Sequence, residues 1–262
     1  MTYARVASAE ARGAQLHLSG ERTVPGVPEE NYWYQRHEAA YQALLPHAAV
    51  PVVLEAGCGE GYGAALLATR ADLVIGLDYD RPSTAHIARC YPQVRAALGN
   101  LVELPVATST VDTVANFQTI EHLWDQEAFL AECARVLRPG GKLLVTTPNR
   151  LTFTPDSDTP LNPYHTREFA PAELDTLLRD AGFWISTALG LHHGRRLRTL
   201  DERYGGSIID AQLDVVFGQL PGQARWPEEL LADVAAIRAE DFTVHERGIE
   251  SSLDLVTVAV RP

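Results

Sequence analysis

Glycine residues crowd the segment Glu55–Gly63, which directly follows the apolar run Val52–Leu54. Glycine lets a backbone turn tightly and approach a ligand closely, and a helix that begins here points its N-terminus at that ligand. A dinucleotide-binding fingerprint would have Gly or Ala where Tyr62 stands. The Gly-Lys-Ser/Thr end of a P-loop is also missing from the sequence. The segment therefore predicts a ligand-binding turn without phosphate-specific features.

An acidic residue, Asp78, ends the next apolar run, Leu73–Leu77, and lies 21 residues after Gly57. A carboxylate at the end of the second strand can accept hydrogen bonds from both hydroxyls of a ribose. The alternative is an acid that only stabilises the N-terminus of the following helix. Because the glycine turn lies upstream, we predict a nucleoside ligand.

Two of the nine histidines stand where they can transfer a proton. His122 follows the predicted strand Val111–Asn116, and the neighbouring Glu121 can orient its imidazole or make it more basic. His165 lies in a loop rich in Asn, Pro and Tyr, where we do not expect a core-filling histidine. We predict a catalytic set of Glu121, His122 and His165. The alternatives are a structural pair, a loop anchor and a site for a divalent cation.

Composition limits the class of protein. The chain has 262 residues with 22 basic and 34 acidic side chains, and its net charge of −12 argues against nucleic-acid or anionic-membrane partners. Its three cysteines have neither disulfide nor zinc-site spacing. No apolar run reaches the ~18–20 residues that span a bilayer, and no signal-peptide pattern is present. We therefore expect a soluble cytoplasmic protein without membrane insertion.

Short apolar runs alternate with helical patterns, which is typical of an α/β fold with a parallel sheet. The predicted strands are Val52–Leu54, Leu73–Leu77, Val111–Asn116, Lys142–Thr147, Phe183–Leu191 and Leu253–Val260. The predicted helices are Gly61–Thr69, Arg81–Cys90 capped by Asp80, one after Asp125, Pro171–Ala181, Ser207–Leu220 and Pro227–Glu240. We expect Pro139-Gly140-Gly141 to break the chain and Leu151–Tyr164 to form a long loop.

Five segments in order resemble the class I S-adenosylmethionine (SAM)-dependent methyltransferases. They are Val53–Gly61, Gly76–Asp78, Gly99–Pro105, Thr119–Leu123 and Arg135–Gly141. The resemblance implies a Rossmann-like sheet of seven mainly parallel strands, with helices on both faces and an antiparallel last strand. It also implies SAM as the cofactor and S-adenosylhomocysteine as the product.

The same resemblance implies the residues that contact SAM. They are Glu55, Gly57, Cys58, Gly59 and Gln118 for the methionine part, Asp78 for the ribose, and Tyr79, Asn100 and Leu101 for the adenine. Asn100 stands where the family more often has Asp, and an amide oxygen can still accept the adenine's hydrogen bond. We further predict that Arg36 pairs with the SAM carboxylate, because charged pairing suits arginine.

Other segments resemble methyltransferases of actinobacterial polysaccharide pathways, including those associated with methylglucose lipopolysaccharide synthesis in mycobacteria. They are Gly20–Pro25, Glu30–His37, Asn162–Phe169 and Gly205–Asp210. This resemblance implies O-methyl transfer to a sugar hydroxyl, with a glucose unit as the acceptor. The alternatives are a phenol, quinone or natural-product acceptor, and a SAM-binding module without catalysis.

We predict acceptor contacts at Tyr34, Tyr164, His192 and His193, although the two adjacent histidines also fit a solvated turn. The largely polar segment Arg195–Tyr204 favours a sugar over a flat aromatic acceptor.

Four regions are expected along the chain. The first is an N-terminal arm with the first helix that covers the site, and a SAM-binding core follows it. About sixty residues then separate two strands, which is too long for a plain connection and predicts a helical cap over the acceptor. The last strand of the core sheet ends the chain. The boundaries are 1–48, 49–191, 192–250 (the cap) and 251–262.

Overall fold

The structure, a computed structural model, describes residues 22–157, 159–217 and 225–262. A mixed sheet of eight strands has the order β3-β2-β1-β4-β5-β8-β6-β7. The strands are β1 (Val52–Ala56), β2 (Leu73–Asp78), β3 (Val94–Leu98), β4 (Val111–Phe117), β5 (Leu137–Pro148), β6 (Trp184–His193), β7 (Phe242–His245) and β8 (Asp254–Val260). Neighbouring strands from β3 to β5 are parallel, whereas β8 is antiparallel to β5 and β6, and β7 is antiparallel to β6.

Helices cover both faces of this sheet. They are α1 (Asn31–Leu44), α2 (Tyr62–Leu67), α3 (Arg81–Cys90), α4 (Gln126–Val136), α5 (Arg150–Phe153), α6 (Pro171–Asp180), α7 (Arg195–Arg203), α8 (Ile208–Phe217) and α9 (Glu228–Ala235). One core contains apolar side chains of α1, α2, α3 and the cap, and the other contains those of α4 and α6. Strands β1 and β8 are buried almost throughout, as expected for strands covered on both sides.

The predicted Rossmann-like α/β fold is confirmed, but the sheet has eight strands rather than seven. Sequence analysis missed β3 and β7. Strand β3 carries an arginine and two alanines, which have little preference for strands, and β7 has only four residues. The expected break at Pro139–Gly141 is wrong, because β5 already begins at Leu137 and contains these residues at a register shift opposite β4.

The predicted helix caps at Asp80 and Asp125 are confirmed, since each carboxylate accepts a backbone hydrogen bond from the first turn of its helix. Helix α7 was not expected in its arginine-rich segment. It forms because Leu197 and Leu200, spaced three residues apart, are both buried. Helix α5 overlaps the start of the loop predicted for Leu151–Tyr164.

Among its described residues, the cap contains helix α7 and strand β7 besides the two predicted helices. The solvated turn considered for His192 and His193 is wrong, since β6 continues through both. Residues 1–21 of the predicted arm and the last three residues of the predicted helix Ser207–Leu220 lie outside the described residues. Within the described ranges, no helix combines the length and apolar character needed to cross a membrane.

Candidate active site

The carboxyl ends of parallel strands meet at one edge of the sheet, and the predicted site residues follow them there. Strand β1 leads into the glycine turn, β2 ends at Asp78, and β4 leads to Gln118 and the Glu121–His122 pair. In open α/β sheets, ligands bind in the crevice at this edge.

The glycine turn depends on three residues in the left-handed region. Gly57, Gly59 and Gly61 have φ values of +85°, +52° and +101°. A Cβ on Gly57 would overlap the Thr119 side chain, whereas a Cβ on Gly59 would meet nothing within 4 Å. Glycine is therefore required for packing at Gly57, while the space in front of Gly59 is open for a ligand.

Asp78 is tied to this turn. Its Oδ2 atom accepts a hydrogen bond from the Gly59 amide at 2.8 Å, and Oδ1 accepts one from the Asp80 amide at 2.9 Å. Burial raises the pKa of the Asp78 carboxyl, and the two amide bonds partly oppose that effect. Each carboxylate oxygen keeps a lone pair with which it can accept a further hydrogen bond.

The predicted adenine contacts flank Asp78. Tyr79 comes directly after it and is 67% exposed, so its ring is accessible to a ligand. The Gly99 amide donates to the Asp78 carbonyl at 3.0 Å, which brings the following Asn100 and the buried Leu101 to the same edge. The Asn100 Oδ1 atom accepts from the Val102 amide at 3.1 Å.

Glu55 is fully buried at the end of β1. Its Oε1 atom accepts a short hydrogen bond from the Tyr41 hydroxyl, while Oε2 has no hydrogen-bond partner among the described residues. Burial raises the pKa of Glu55 to about 8, against the opposing hydrogen bond from Tyr41. An unpaired buried carboxylate oxygen is costly, so this atom fits a cationic ligand group.

Gln118 has a φ of +50°, which is rare for a residue other than glycine. Its amide donates to the Thr146 carbonyl at 2.8 Å, which holds this conformation at the end of β4. Such backbone strain is typical of ligand sites, where the surrounding structure maintains it.

Glu121, His122 and His165 come together although they lie on two separate loops. One donor atom from each lies within 4.8 Å of the other two, and the two imidazole rings meet edge to face with centroids 4.8 Å apart. We call these three residues the acceptor cluster. The loops are joined by the amide of Thr166, which donates to the Glu121 carbonyl at 2.7 Å.

The hydrogen bonds of the acceptor cluster define the tautomer of each histidine. His122 Nδ1 lies 2.9 Å from the Tyr164 carbonyl oxygen, which can only accept, so Nδ1 carries the proton and Nε2 the lone pair. His165 Nδ1 donates to Glu168 Oε1 at 2.8 Å, and its Nε2 accepts from the Asn162 amide nitrogen at 3.1 Å. In this tautomer the Nε2 atom of His122 can accept a proton, and both nitrogens of His165 bind protein groups.

The Glu121 carboxyl is buried beneath these rings. Burial raises its pKa to about 7, while a hydrogen bond from Thr147 at 3.0 Å opposes the rise, as would a positive charge on the neighbouring His165. A carboxylate in this position can stabilise an imidazolium beside it.

Comparison with known proteins shows the family to which the chain belongs. A family model described as a methyltransferase domain matches residues 54–145. A protein of Mycolicibacterium smegmatis named probable S-adenosylmethionine-dependent methyltransferase is 57% identical over 250 residues, covering 94% of this chain and 96% of its own length. The chain belongs to the SAM-dependent methyltransferases.

Two other matches are more distant. The human mitochondrial ubiquinone biosynthesis O-methyltransferase is 29% identical over 161 residues, covering 53% of this chain and 43% of its own. The crystal structure of a SAM-dependent methyltransferase from Mesorhizobium loti shares the fold of this methyltransferase, with a TM-score of 0.55 and 16% identity over 86% of this chain and 98% of the other.

The residues of the methyltransferase fit SAM. The unpaired Oε2 atom of Glu55 suits the ammonium of the methionine part, and the open space at Gly59 admits a ligand against the backbone. The remaining lone pairs of Asp78 suit the ribose hydroxyls. The acceptor cluster, with one carboxylate and two imidazoles, is the one metal-type donor group found among the described residues, and it suits a transition metal better than magnesium.

Arg36 is engaged within the protein. Its Nε and Nη2 atoms donate to the two carboxylate oxygens of Asp254 at 2.7 and 2.6 Å, and Nη2 also donates to the Leu253 carbonyl. Nη1 is buried without a hydrogen-bond partner among the residues described. The charge of Arg36 is thus balanced by Asp254, and its pairing with the SAM carboxylate stays a prediction.

Three of the predicted acceptor contacts lie beside other elements rather than in the acceptor cluster. Tyr34 packs edge-on against Tyr62, which follows the glycine turn, with centroids 5.0 Å apart. His192 stacks on His245 at 4.4 Å, and His193 lies against Tyr32 of α1. Tyr164 remains next to the cluster through its carbonyl bond to His122. The acceptor roles of all four stay predictions.

Sequence analysis missed several side chains that support the site. Tyr41 binds Glu55, Thr147 binds Glu121, and Glu168 binds His165. His37 also went unassigned, although it lies in a segment that carries the family resemblance. Its Nδ1 atom lies 3.1 Å from the Tyr62 hydroxyl, and burial lowers the pKa of this histidine to about 4.

Proposed function

We propose that the methyltransferase transfers the methyl group of SAM to a sugar hydroxyl, with a glucose unit of a methylated polysaccharide precursor as the acceptor. The observation that carries this proposal is the tautomer of His122, whose Nε2 lone pair lies at the carboxyl edge of the sheet with Glu121 beside it. The motif resemblance to polysaccharide-pathway methyltransferases, which runs through α1 and the His165 loop, supports the sugar acceptor.

Sugar hydroxyls and phenols differ in how much their methylation depends on a general base. A sugar hydroxyl has a pKa nearer to the ~15.7 of water than to neutrality, so it gains from a base that removes its proton as the new bond forms. A phenol, with a pKa of about 10, needs that help less. The acceptor cluster therefore favours an aliphatic hydroxyl.

Bound SAM supplies an electrophilic methyl group on its sulfonium. The glycine turn, Glu55 and Asp78 would hold the cofactor, whose S–CH3 bond would break as the methyl group passes to the acceptor oxygen, leaving S-adenosylhomocysteine. His122 then takes the hydroxyl proton on Nε2, while the Tyr164 carbonyl keeps the proton on Nδ1. Glu121, which accepts a hydrogen bond from Thr147, stabilises the resulting imidazolium, and His165 packs edge to face against the His122 ring.

The proposal is tested with methyl-labelled SAM and three acceptors: maltotriose as a short glucan, a mannobiose and a catechol. Each is assayed with magnesium present and with a chelator. Label in maltotriose supports the glucose acceptor, and NMR of the product identifies the hydroxyl. Label in catechol alone overturns the sugar proposal. Loss of transfer with the chelator, restored by added metal, assigns a cation to the acceptor cluster.

A quinone- or phenol-type acceptor is the second candidate. It is favoured by the likeness to the ubiquinone biosynthesis O-methyltransferase, whose name states that chemistry. That match covers 53% of this chain, so we rank this acceptor below the sugar acceptor.

A further inference from the structure

A buried hydrogen-bond chain joins the cap to the first helix. His193, the last residue of β6, lies between Asp201 of α7 and Tyr32 of α1. Its Nδ1 atom is 2.6 Å from Asp201 Oδ2, and its Nε2 atom is 2.7 Å from the Tyr32 hydroxyl. Tyr32 is fully buried, and 11% of the His193 side chain is exposed. Both ring nitrogens of His193 thus bind protein groups, so we assign these hydrogen bonds a role in joining the cap to α1.

The direction of each hydrogen bond follows from its partners. The Asp201 carboxylate only accepts, so His193 Nδ1 donates to it, and Nε2 then accepts the hydroxyl proton of Tyr32. Burial lowers the pKa of His193 despite the opposing effect of Asp201, and burial raises the pKa of Tyr32. The neutral imidazole and the protonated hydroxyl that this arrangement requires are thus the favoured forms.

Helix α1 carries this connection toward the acceptor cluster. One residue before Tyr32, the Asn31 side chain donates to the carbonyls of Val234 and Ile237 at the end of α9, at 2.9 and 3.0 Å. One turn after Tyr32, Arg36 holds Asp254 in its bidentate pair. Two neighbouring side chains of α1 thus bind the cap, and the next turn binds the start of β8.

Asp254 begins β8 and pairs with Pro148 at the end of β5. Because side chains alternate along a strand, the Asp254 side chain lies on the opposite face of the sheet from that of Thr147, which donates to Glu121. The connection runs instead through the backbone, since the Leu253 carbonyl accepts from Arg36 Nη2 at 2.8 Å and from the Asn149 amide at 3.0 Å. Asn149 follows Thr147 by two residues, so the position of α1 affects the end of the strand that carries Thr147.

We propose that His193 is a positioning residue that fixes the cap to α1 through Asp201 and Tyr32, and so holds Arg36 against the backbone next to the end of β5, where Thr147 binds Glu121. This role rests on the proposed methyl transfer at the acceptor cluster. It explains why a histidine at the entrance to the cap has both ring nitrogens engaged by protein groups.

Two variants test the connection at different points. Tyr32→Phe removes one hydroxyl and keeps the aromatic packing, and His193→Ala removes the central link. Tyr204→Phe is the matched control, because the Tyr204 hydroxyl also binds an acid, Asp233 at 2.8 Å, but within the cap. The readouts are the SAM dissociation constant, deuterium uptake of residues 119–124, and kcat with whichever of the three acceptors takes label.

We expect Tyr32→Phe and His193→Ala to lower kcat about tenfold while the Kd for SAM stays within about twofold. Deuterium uptake at 119–124 should rise in both, because their local structure opens more readily. The double variant should lose no more than either single variant, since both break one chain. Tyr204→Phe should change none of these readouts.

Equal behaviour of Tyr32→Phe and Tyr204→Phe overturns the positioning role, as does a parallel loss of SAM affinity in Tyr32→Phe. If His193→Ala does not fold, Tyr32→Phe alone decides. Increased uptake in Tyr32→Phe together with label entering only catechol supports the positioning role while the sugar acceptor fails. If label enters maltotriose but Tyr32→Phe changes neither kcat nor deuterium uptake, the sugar acceptor is supported and the positioning role fails.

Discussion

The proposed cofactor region and the proposed acceptor region of this methyltransferase are built in different ways. The cofactor region comes mainly from one stretch of chain, residues 55–78, in which backbone conformation and backbone amides hold the key groups. The acceptor region joins side chains from distant loops and strands, which bind one another by hydrogen bonds. A sequence motif can specify the first region, whereas the second depends on the tertiary fold. Variants in the two regions should accordingly alter different quantities, SAM affinity in one and turnover in the other.

The largest effect is expected at His122. His122→Ala should lower kcat by about 10²–10⁴-fold, because that is the usual contribution of a positioned base. The Kd for SAM should change little, since the glycine turn is untouched. His47→Ala is the control, because His47 lies in the turn after α1 and contacts Lys142 in the middle of β5. A kcat near that of the unmodified enzyme would show that His122 is not the base.

Glu55 should make cofactor binding depend on pH. Its pKa of about 8 means that the carboxyl is largely protonated at pH 7 before the ligand binds. The ligand's ammonium favours the carboxylate, so binding releases a proton, and the Kd should rise by up to about tenfold for each pH unit below 8. Titration calorimetry with S-adenosylhomocysteine in two buffers of different ionisation enthalpy measures this release. Glu55→Gln should abolish it, and a pH-independent Kd in the unmodified enzyme would contradict the assignment.

Two glycines test whether the open space at the turn belongs to the cofactor. Gly59 and Gly140 both have positive φ, at +52° and +76°, and a Cβ on either would meet nothing within 4 Å. Each change to alanine should therefore cost a similar ~1–2 kcal/mol of unfolding free energy. Only Gly59→Ala should weaken S-adenosylhomocysteine binding, by several-fold, because only that Cβ enters the proposed cofactor space. Equal Kd values in the two variants would place the cofactor elsewhere.

The features predicted correctly from sequence are those determined by nearby residues. Asp80 and Asp125 cap helices that begin next to them, and the glycine turn follows its strand directly. The acceptor cluster could also be predicted in part, because His122 and His165 both follow strands whose carboxyl ends share one edge of the sheet.

The features that sequence analysis missed are tertiary pairings. Arg36 binds Asp254 across 218 positions of sequence, and no local pattern reveals that the arginine charge is already balanced. Nothing in the sequence around Thr147 distinguishes it from other strand residues, and its hydrogen bond to Glu121 exists only in the folded protein. Helix α7 was not predicted because its sequence is rich in arginine and its buried face contains only two leucines. These pairings support the acceptor region, which explains why its supporting residues were harder to predict than those of the cofactor region.

The smallest expected effect lies at Thr147, and it separates turnover from cofactor binding most cleanly. The Thr147 hydroxyl donates to Glu121 Oε2 and so lowers the pKa of a carboxyl that burial raises to about 7. Thr147→Val removes that bond, so the pKa of Glu121 rises, and a higher pH is needed to ionise it. If ionised Glu121 stabilises the imidazolium of His122, the acid limb of the pH–kcat profile should move up by about half a unit to one unit. The Kd for SAM at pH 8 should stay the same, and Thr257→Val in the neighbouring strand β8 should leave the limb in place. An unmoved limb in Thr147→Val would mean that proton transfer at the acceptor cluster does not depend on the Glu121 charge.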